Sequence, residues 1–190
     1  MSETPGFRHI GERSRYDAGF FQLVAGTFVA PDGFSFERTI VRHPGAVSIA
    51  ALSADDASVV AVRQYRAAVD KHLLELPAGK RDKADEPPLL CAQRELIEET
   101  GFLAEKWTKL GTFYNSPGFS DEETIVYLAE DLSQTDRATE GIEEKYMTVE
   151  NIDLGDCNKL IDAGELTDAK TIIALSFVKK YLAEVKGRVF

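Results

Sequence analysis

The chain has 190 residues, enough for one sizeable domain or for one domain with an additional arm. Its 32 acidic residues outnumber its 22 lysines and arginines, and the net charge of −10 argues against a nucleic-acid or membrane partner, whose recognition needs a basic face. The two cysteines, Cys91 and Cys157, form no CxxC pattern, so we expect reduced thiols and no structural zinc site. The N-terminus lacks the apolar run of a signal peptide, and no segment approaches the roughly 20 apolar residues that span a bilayer. We therefore expect a cytoplasmic protein.

The first predicted element is a β-hairpin. Residues 20–30 and 34–43 are rich in β-branched and aromatic side chains, and the turn sequence PDG separates them. The sequence HPGA at residues 43–46 then interrupts the pattern. These features predict an N-terminal antiparallel β arm over residues 1–43 and a main domain over residues 44–190.

The main domain mixes strands and helices. Its pattern predicts a mixed sheet with helices packed against it, an α/β (α+β) fold. The predicted strands cover residues 46–52, 58–66, 72–76, 107–114, 124–132 and 144–152, and the predicted helices cover residues 87–100, 156–162 and 168–186.

The helix at residues 87–100 carries an unusual acidic face. Glu95, Glu98 and Glu99 fall within an arc of roughly 100° on a helical wheel, although like charges at that spacing repel each other. Arg94 is placed to pair with Glu98. Asp85 or Glu86 is expected near the N-cap, and Gly101 suits the position after the last turn. The face is either a solvated acidic surface or a site for a hard divalent cation, which prefers oxygen ligands.

The same segment resembles the Nudix box, written GX5EX7REUXEEXGU, in which U is a bulky aliphatic residue. The matching positions are Glu86, Arg94-Glu95-Leu96, Glu98-Glu99 and Gly101. The chain departs from the motif at two points, because six residues rather than five separate Gly79 from Glu86, and the last position is the aromatic Phe102. The resemblance implies the Nudix-type α/β/α sandwich.

Further segments resemble the ADP-ribose pyrophosphatase subgroup of this family. They are RHPGAV at 42–47, RQYR at 63–66, ELPAGK at 75–80 and SPGFSDE at 116–122. The resemblance implies Mg²⁺-dependent hydrolysis of ADP-ribose to AMP and ribose 5-phosphate, with Mn²⁺ as a substitute. It also implies a homodimer whose subunits exchange the N-terminal arm.

The resemblance implies roles for the acidic helix and for a later loop. Glu95, Glu99 and the carbonyl of Ala78 would bind the metal, and Glu98 and Arg94 would support catalysis. The general base would come from the acidic loop at residues 135–145. Glu143 and Glu144 are the candidates there, with Glu140 behind them.

The residues expected to contact substrate lie in several segments. Arg38 and Arg66 are candidates for the phosphates because a guanidinium offers two parallel donors to an oxyanion, and Arg63 and Arg42 are alternatives. By resemblance, Glu75 would also bind substrate, and Glu122 would either bind substrate hydroxyls or help the metal site. Pro117 and Gly118 would shape the loop around the terminal ribose. Phe20 or Phe21 is a candidate for stacking on adenine.

Two other functions stay open at this point. The same diphosphate chemistry would suit another small-molecule substrate, such as GDP-mannose, another nucleoside diphosphate sugar, NADH or FAD. A non-catalytic nucleotide-sugar sensor is the second alternative. It is disfavoured because all three helix glutamates are present and the acidic chain holds no basic DNA-binding module.

Overall fold

The structure, a computed structural model, describes residues 6–137 and 144–188, which divide into two compact units. The first unit runs to Gly45 and also includes Tyr114–Glu123, and the second contains Ala46–Phe113 and continues from Thr124. The predicted arm therefore lies within the first unit. The sequence did not indicate that Tyr114–Glu123 would belong to that unit.

The first unit is built on a three-stranded antiparallel sheet in the order β1-β2-β3. Its strands are β1 (Arg8–Asp17), β2 (Gln22–Val29) and β3 (Ser35–Arg42). The predicted hairpin is β2–β3, whereas β1 was not predicted. The segment Tyr114–Glu123 attaches to the end of β3, where the Val41 amide donates to the Phe119 carbonyl at 2.8 Å and the Val41 carbonyl accepts from the Asp121 amide at 3.2 Å.

The second unit contains a seven-stranded mixed sheet with the central order β10-β5-β4-β9-β8. Strands β4 and β9 pair in parallel, while β5 pairs antiparallel with β4, β6 and β10, and β7 pairs antiparallel with β4. The strands are β4 (Ala46–Leu52), β5 (Ser58–Arg66), β6 (Lys71–Glu75), β7 (Ala78–Lys80), β8 (Phe102–Tyr114), β9 (Glu123–Gln134) and β10 (Thr148–Asp153).

Within residues 6–137 and 144–188, three α-helices accompany this sheet, namely α1 (Pro88–Thr100), α2 (Cys157–Asp162) and α3 (Ala169–Lys186). Gly101 ends α1 in the left-handed conformation with φ of 72°, as predicted. Asp85 and Glu86 lie near the N-cap, as predicted, but Pro87 occupies the N-cap position itself and no side chain caps the helix by a hydrogen bond. Among the described residues, no helix is long and apolar enough to cross a membrane.

Two hydrophobic clusters cover the two faces of the sheet. One joins β4 to α1, and the other joins β4 to α3, because alternate residues of a strand point to opposite faces. The first cluster includes Val47, Ile49, Ala51, Cys91, Ala92 and Leu96, and the second includes Ala50, Leu52, Leu175, Val178 and Leu182. The second unit is therefore an α/β/α sandwich, and the predicted fold class is confirmed.

Candidate active site

The acidic face of α1 is largely buried rather than solvated. The side chains of Glu95 and Glu98 are 12% and 13% exposed, and Glu99 is 5% exposed. On the opposite side of the helix, Leu96 is fully buried in the core, and burying a leucine contributes about 1.5–3 kcal/mol. The packing of this apolar side fixes the helix, and with it the direction of the carboxylates.

The short strand β7 lies directly against these carboxylates. The Ala78 amide donates to Glu99 Oε2 at 3.0 Å. A Cβ atom on Gly79 would lie 2.0 Å from Glu95 Cδ, so the glutamate occupies the space that any larger residue at position 79 would need. The structure thus brings together the three residues predicted to bind metal.

Arg94 is the centre of an ion-pair cluster. It donates two hydrogen bonds to Glu86, at 2.9 and 3.0 Å, and its Nη1 donates to Glu95 and to Glu98, each at 2.8 Å. The hydrogen bonds from Arg94 hold the pKa of Glu86 below its ordinary value, and the same bonds, with the charge of Glu95, raise the pKa of Arg94. The predicted contact between Arg94 and Glu98 is present, and the longer loop still brings Glu86 to Arg94.

The carboxylates of α1 offer the donors that a hard divalent cation takes. Two of them, Glu95 and Glu99, lie against the backbone of Ala78 and Gly79. Across residues 6–137 and 144–188, His, Cys, Asp and Glu side chains do not gather in a group of three or more spaced for a metal ion. Near α1, the guanidinium of Arg94 occupies the position between Glu95 and Glu98 instead.

A second arginine–glutamate pair lies at the ends of β5 and β6. Arg66 donates to both oxygens of Glu75, at 2.8 and 2.7 Å, and Lys170 also donates to Glu75. Burial alone would raise the pKa of Glu75, which is 1% exposed, but the hydrogen bond from Arg66 and the charge of Lys170 outweigh burial and lower it. The bond to Glu75 raises the pKa of Arg66, and the charge of Glu99 adds to this effect. The positive charge of Arg66 therefore interacts with Glu99 on the acidic face of α1.

The two alternative phosphate-binding arginines are each held by carboxylates. Arg63 makes a two-bond ion pair with Glu150 at 2.7 and 3.0 Å. Arg42 donates to Glu12 at 2.6 Å and to Asp121 at 3.0 Å. Pairing with two separate carboxylates favours a structural role for Arg42, whereas Arg63 pairs with its glutamate through the same two atoms, Nε and Nη2, by which Arg66 pairs with Glu75.

The remaining candidates for substrate binding belong to the first unit. The guanidinium of Arg38 lies 4.6 Å from the centre of the Phe36 ring, and its Nη1 donates to the Glu37 carbonyl at 2.9 Å. Pro117, Gly118 and Glu122 all lie in the segment Tyr114–Glu123.

That segment is shaped by its own hydrogen bonds. The amide of Glu122 donates to Ser120 Oγ at 3.1 Å, and its carbonyl accepts from the Asn115 amide at 3.0 Å. The hydrogen bonds within Tyr114–Glu123 thus fix the backbone beside Glu122.

The adenine-stacking candidates Phe20 and Phe21 pack edge to face with a centroid distance of 5.0 Å.

The candidate general bases fall at the limit of the described residues. Glu140 and Glu143 lie outside them. Glu144 begins a short 3₁₀ helix, Glu144–Tyr146, but its side chain also lies outside the described part of the chain. The choice of general base stays a prediction.

No sequence pattern indicated the partners that hold Glu75 and the loop after it. Asp168 caps α3 by accepting from the Thr171 amide at 2.9 Å, and it pairs with Lys170 at 2.9 Å. Thr171 Oγ1 in turn accepts from the Leu76 amide at 2.9 Å. An aspartate before a helical pattern signals a cap, but no sequence signal connects that cap to a strand about 95 residues earlier.

Comparison with known proteins places this geometry in a family. An ADP-ribose pyrophosphatase of Bacillus subtilis is 42% identical over 78% of this chain and 80% of its own length. A methanol dehydrogenase activator of Bacillus methanolicus is 37% identical with the same coverage, and an ADP-ribose pyrophosphatase of Mycobacterium tuberculosis is 36% identical over 87% of this chain and 80% of its own length.

A solved structure shows the same fold. The crystal structure of an ADP compounds hydrolase superposes with a TM-score of 0.83 at 21% identity and covers 100% of both chains. The family described as NUDIX domain matches residues 41–169, which include β7, α1 and the ion-pair cluster around Arg94. The chain belongs to the NUDIX family.

Proposed function

We propose that this protein is a pyrophosphatase that hydrolyses ADP-ribose to AMP and ribose 5-phosphate. The observation that carries the proposal is the buried carboxylate face of α1 packed against Ala78 and Gly79, in a chain whose relatives include two enzymes named ADP-ribose pyrophosphatase. A diphosphate bridge is strongly anionic, so a site built from carboxylates needs a cation between itself and the substrate.

The proposed cofactor is a divalent cation, with Mg²⁺ first and Mn²⁺ as a substitute. Its ligands would be the carboxylates of Glu95 and Glu99 together with the carbonyl of Ala78, a set of hard oxygen donors that suits Mg²⁺. When bound, such a cation neutralises charge on phosphate oxygens and lowers the pKa of a coordinated water.

The other residues of α1 orient these ligands. Arg94 bonds to Glu86, Glu95 and Glu98 at once, so its guanidinium fixes the rotamers of both helix glutamates in the absence of substrate. Glu98 is then held close to the site, where it either binds metal or orients a group that does. A preformed arrangement of this kind avoids reorganisation during the reaction.

Arg66 is the proposed phosphate ligand of the second unit. Glu75 accepts hydrogen bonds from its Nε and Nη2, so this ion pair fixes the plane of the guanidinium and therefore the direction of Nη1. The side chain of Arg66 is 38% exposed. Glu75 contributes to substrate binding through Arg66, because the carboxylate itself is buried. Arg38, Pro117, Gly118 and Glu122 are further residues proposed to bind the substrate, and Glu143 or Glu144 is the proposed general base.

The test is a substrate panel with a metal titration. Purified protein is incubated with ADP-ribose, GDP-mannose, NADH and FAD, each with Mg²⁺, with Mn²⁺ and with EDTA, and products are separated by chromatography. We expect AMP from ADP-ribose, the highest kcat/KM for this substrate, and no turnover in EDTA. Turnover of another panel member at higher kcat/KM would replace the proposed substrate. Tight binding of ADP-ribose without cleavage under either metal would instead support a nucleotide-sugar sensor. The homodimer with exchanged arms and the cytoplasmic location stay predictions.

A further inference from the structure

We propose that Lys170, held by Asp168 at the start of α3, is a positioning residue that sets the orientation of Arg66 through Glu75. The inference rests on the proposed function, in which Arg66 meets a phosphate. It assigns to the C-terminal helix a role in substrate binding, although none of its residues need touch the substrate.

Arg66 and Lys170 share the carboxylate of Glu75. Glu75 Oε1 accepts from Arg66 Nε at 2.8 Å, while Oε2 accepts from Arg66 Nη2 at 2.7 Å and also from Lys170 Nζ. With two parallel bonds, the plane of the carboxylate determines the plane of the guanidinium. Lys170 is the second group that fixes that carboxylate, so it also fixes Arg66.

Lys170 is itself held in place by Asp168. Its ammonium contacts Asp168 Oδ1 at 2.9 Å, and Asp168 Oδ2 caps α3 through the amide of Thr171. The hydroxyl of Thr171 accepts from the amide of Leu76, the residue after Glu75. Two consecutive residues at the end of β6 are therefore tied to the first turn of α3, one by its side chain and one by its backbone.

The charge of Lys170 also affects how much of the charge of Arg66 an anion experiences. A carboxylate that pairs with a single arginine cancels most of the positive charge that an incoming anion would experience. Glu75 has two cationic partners, and it is buried while Arg66 is partly exposed. Lys170 satisfies part of the charge of Glu75 and leaves more of the charge of Arg66 available to a phosphate oxygen.

The test is a double-mutant cycle between Arg66→Met and Lys170→Met. We expect Lys170→Met to raise the KM for ADP-ribose and the Kd of the uncleavable α,β-methylene analogue about 10-fold, with kcat reduced by less than about 3-fold. Lys170→Arg should restore most of the affinity. Because Lys170 acts through Arg66, the double variant should bind no more weakly than Arg66→Met alone. Lys180→Met is the matched control, since Lys180 lies on the exposed side of the same helix and is 71% exposed.

Two further measurements test the role of Lys170 apart from the proposed function. Asp168→Asn keeps the helix cap but removes the charge that holds Lys170, so it should raise KM in the same direction as Lys170→Met. Hydrogen exchange of the Arg66 Nε–H, followed by NMR without substrate, should become faster in Lys170→Met but not in Lys180→Met.

Unchanged KM and unchanged Nε–H exchange in Lys170→Met would overturn the inference. It would also be overturned if the double variant lost affinity by the product of the two single losses, because Lys170 would then act independently of Arg66. If the wild-type protein prefers another diphosphate substrate, the cycle is measured with that substrate. If it cleaves none, the exchange measurement still decides the role of Lys170, while the proposed function fails separately.

Discussion

Gly79→Ala should impair catalysis while leaving the fold largely intact. The added Cβ would lie 2.0 Å from Glu95 Cδ, 2.1 Å from Oε1 and 2.2 Å from Cγ, so the carboxylate carbon has to move by more than 1 Å to reach an ordinary contact of about 3.4 Å. Misplacing a catalytic group by about 1 Å can cost about 10²-fold in rate. We therefore expect kcat for ADP-ribose to fall about 10²-fold and the Mg²⁺ concentration for half-maximal activity to rise.

The effect on stability should be smaller because the obstacle is a flexible side chain rather than backbone. Overpacking typically costs about 1–3 kcal/mol, and each kcal/mol lowers the Tm of a domain of this size by about 2–4 °C. The matched control is Gly111→Ala, whose Cβ would lie 2.6 Å from the Phe177 ring, outside the acidic site. It should lower Tm while kcat is retained.

The assay combines steady-state kinetics across a Mg²⁺ titration with thermal unfolding of both variants. If Gly79→Ala kept kcat within about 2-fold of the wild type, then Glu95 would not need the position that it has against Gly79, and its assignment as a metal ligand would be refuted.

Three other predictions follow from the buried ionisable groups. Glu99→Gln should lower kcat about 10²-fold because a charged ligand is lost while the hydrogen bond from Ala78 can persist, whereas Glu184→Gln, on an exposed part of α3, should leave kcat unchanged. Burial raises the pKa of Cys91 to about 12 and also raises that of Cys157, so neither thiol should react rapidly with a disulfide reagent at about pH 8 until the protein is unfolded; a fast-reacting thiol in the native protein would contradict this. Because the folded pKa of Glu75 lies below its ordinary 4.5, its contribution to stability is present above that pH and is lost as pH falls below it. The Tm of the wild type should therefore decrease more steeply than that of Glu75→Gln between about pH 5 and pH 3, and parallel curves would show that the ion pair contributes nothing.

Most of the fold could be predicted because its elements have strong local signals. The buried strand β4 and the first half of β5, residues 59–62, are largely apolar runs, and α3 shows an apolar stripe at helical spacing. β1 was missed because its ten residues are all exposed and carry five charged side chains plus a histidine, so it lacks the apolar alternation of a half-buried strand. β7 was missed because a strand of three residues is too short to show an alternating pattern.

The acidic site could be predicted for a related reason. Glu95, Glu98 and Glu99 lie on one helix, where spacing alone determines which side chains share a face. Asp85 and Glu86 lie near the N-cap of α1, as predicted, but neither caps the helix. Asp85 adopts a positive φ of 60°, and the helix begins at Pro88. A cap residue in the sequence is useful only when the backbone brings its side chain to the first amides of the helix.

Arg94 and Arg66 show where prediction from sequence ends. Arg94 pairs with Glu86 and Arg66 pairs with Glu75, in each case through two hydrogen bonds between residues eight or nine positions apart. Three carboxylates pair with Arg94, so its expected role is to orient acids. Glu75 has a second cation in Lys170, so Arg66 retains charge that can meet a phosphate. The residue that makes this difference lies 95 positions from Glu75, and only the packing of α3 against the sheet brings the two together.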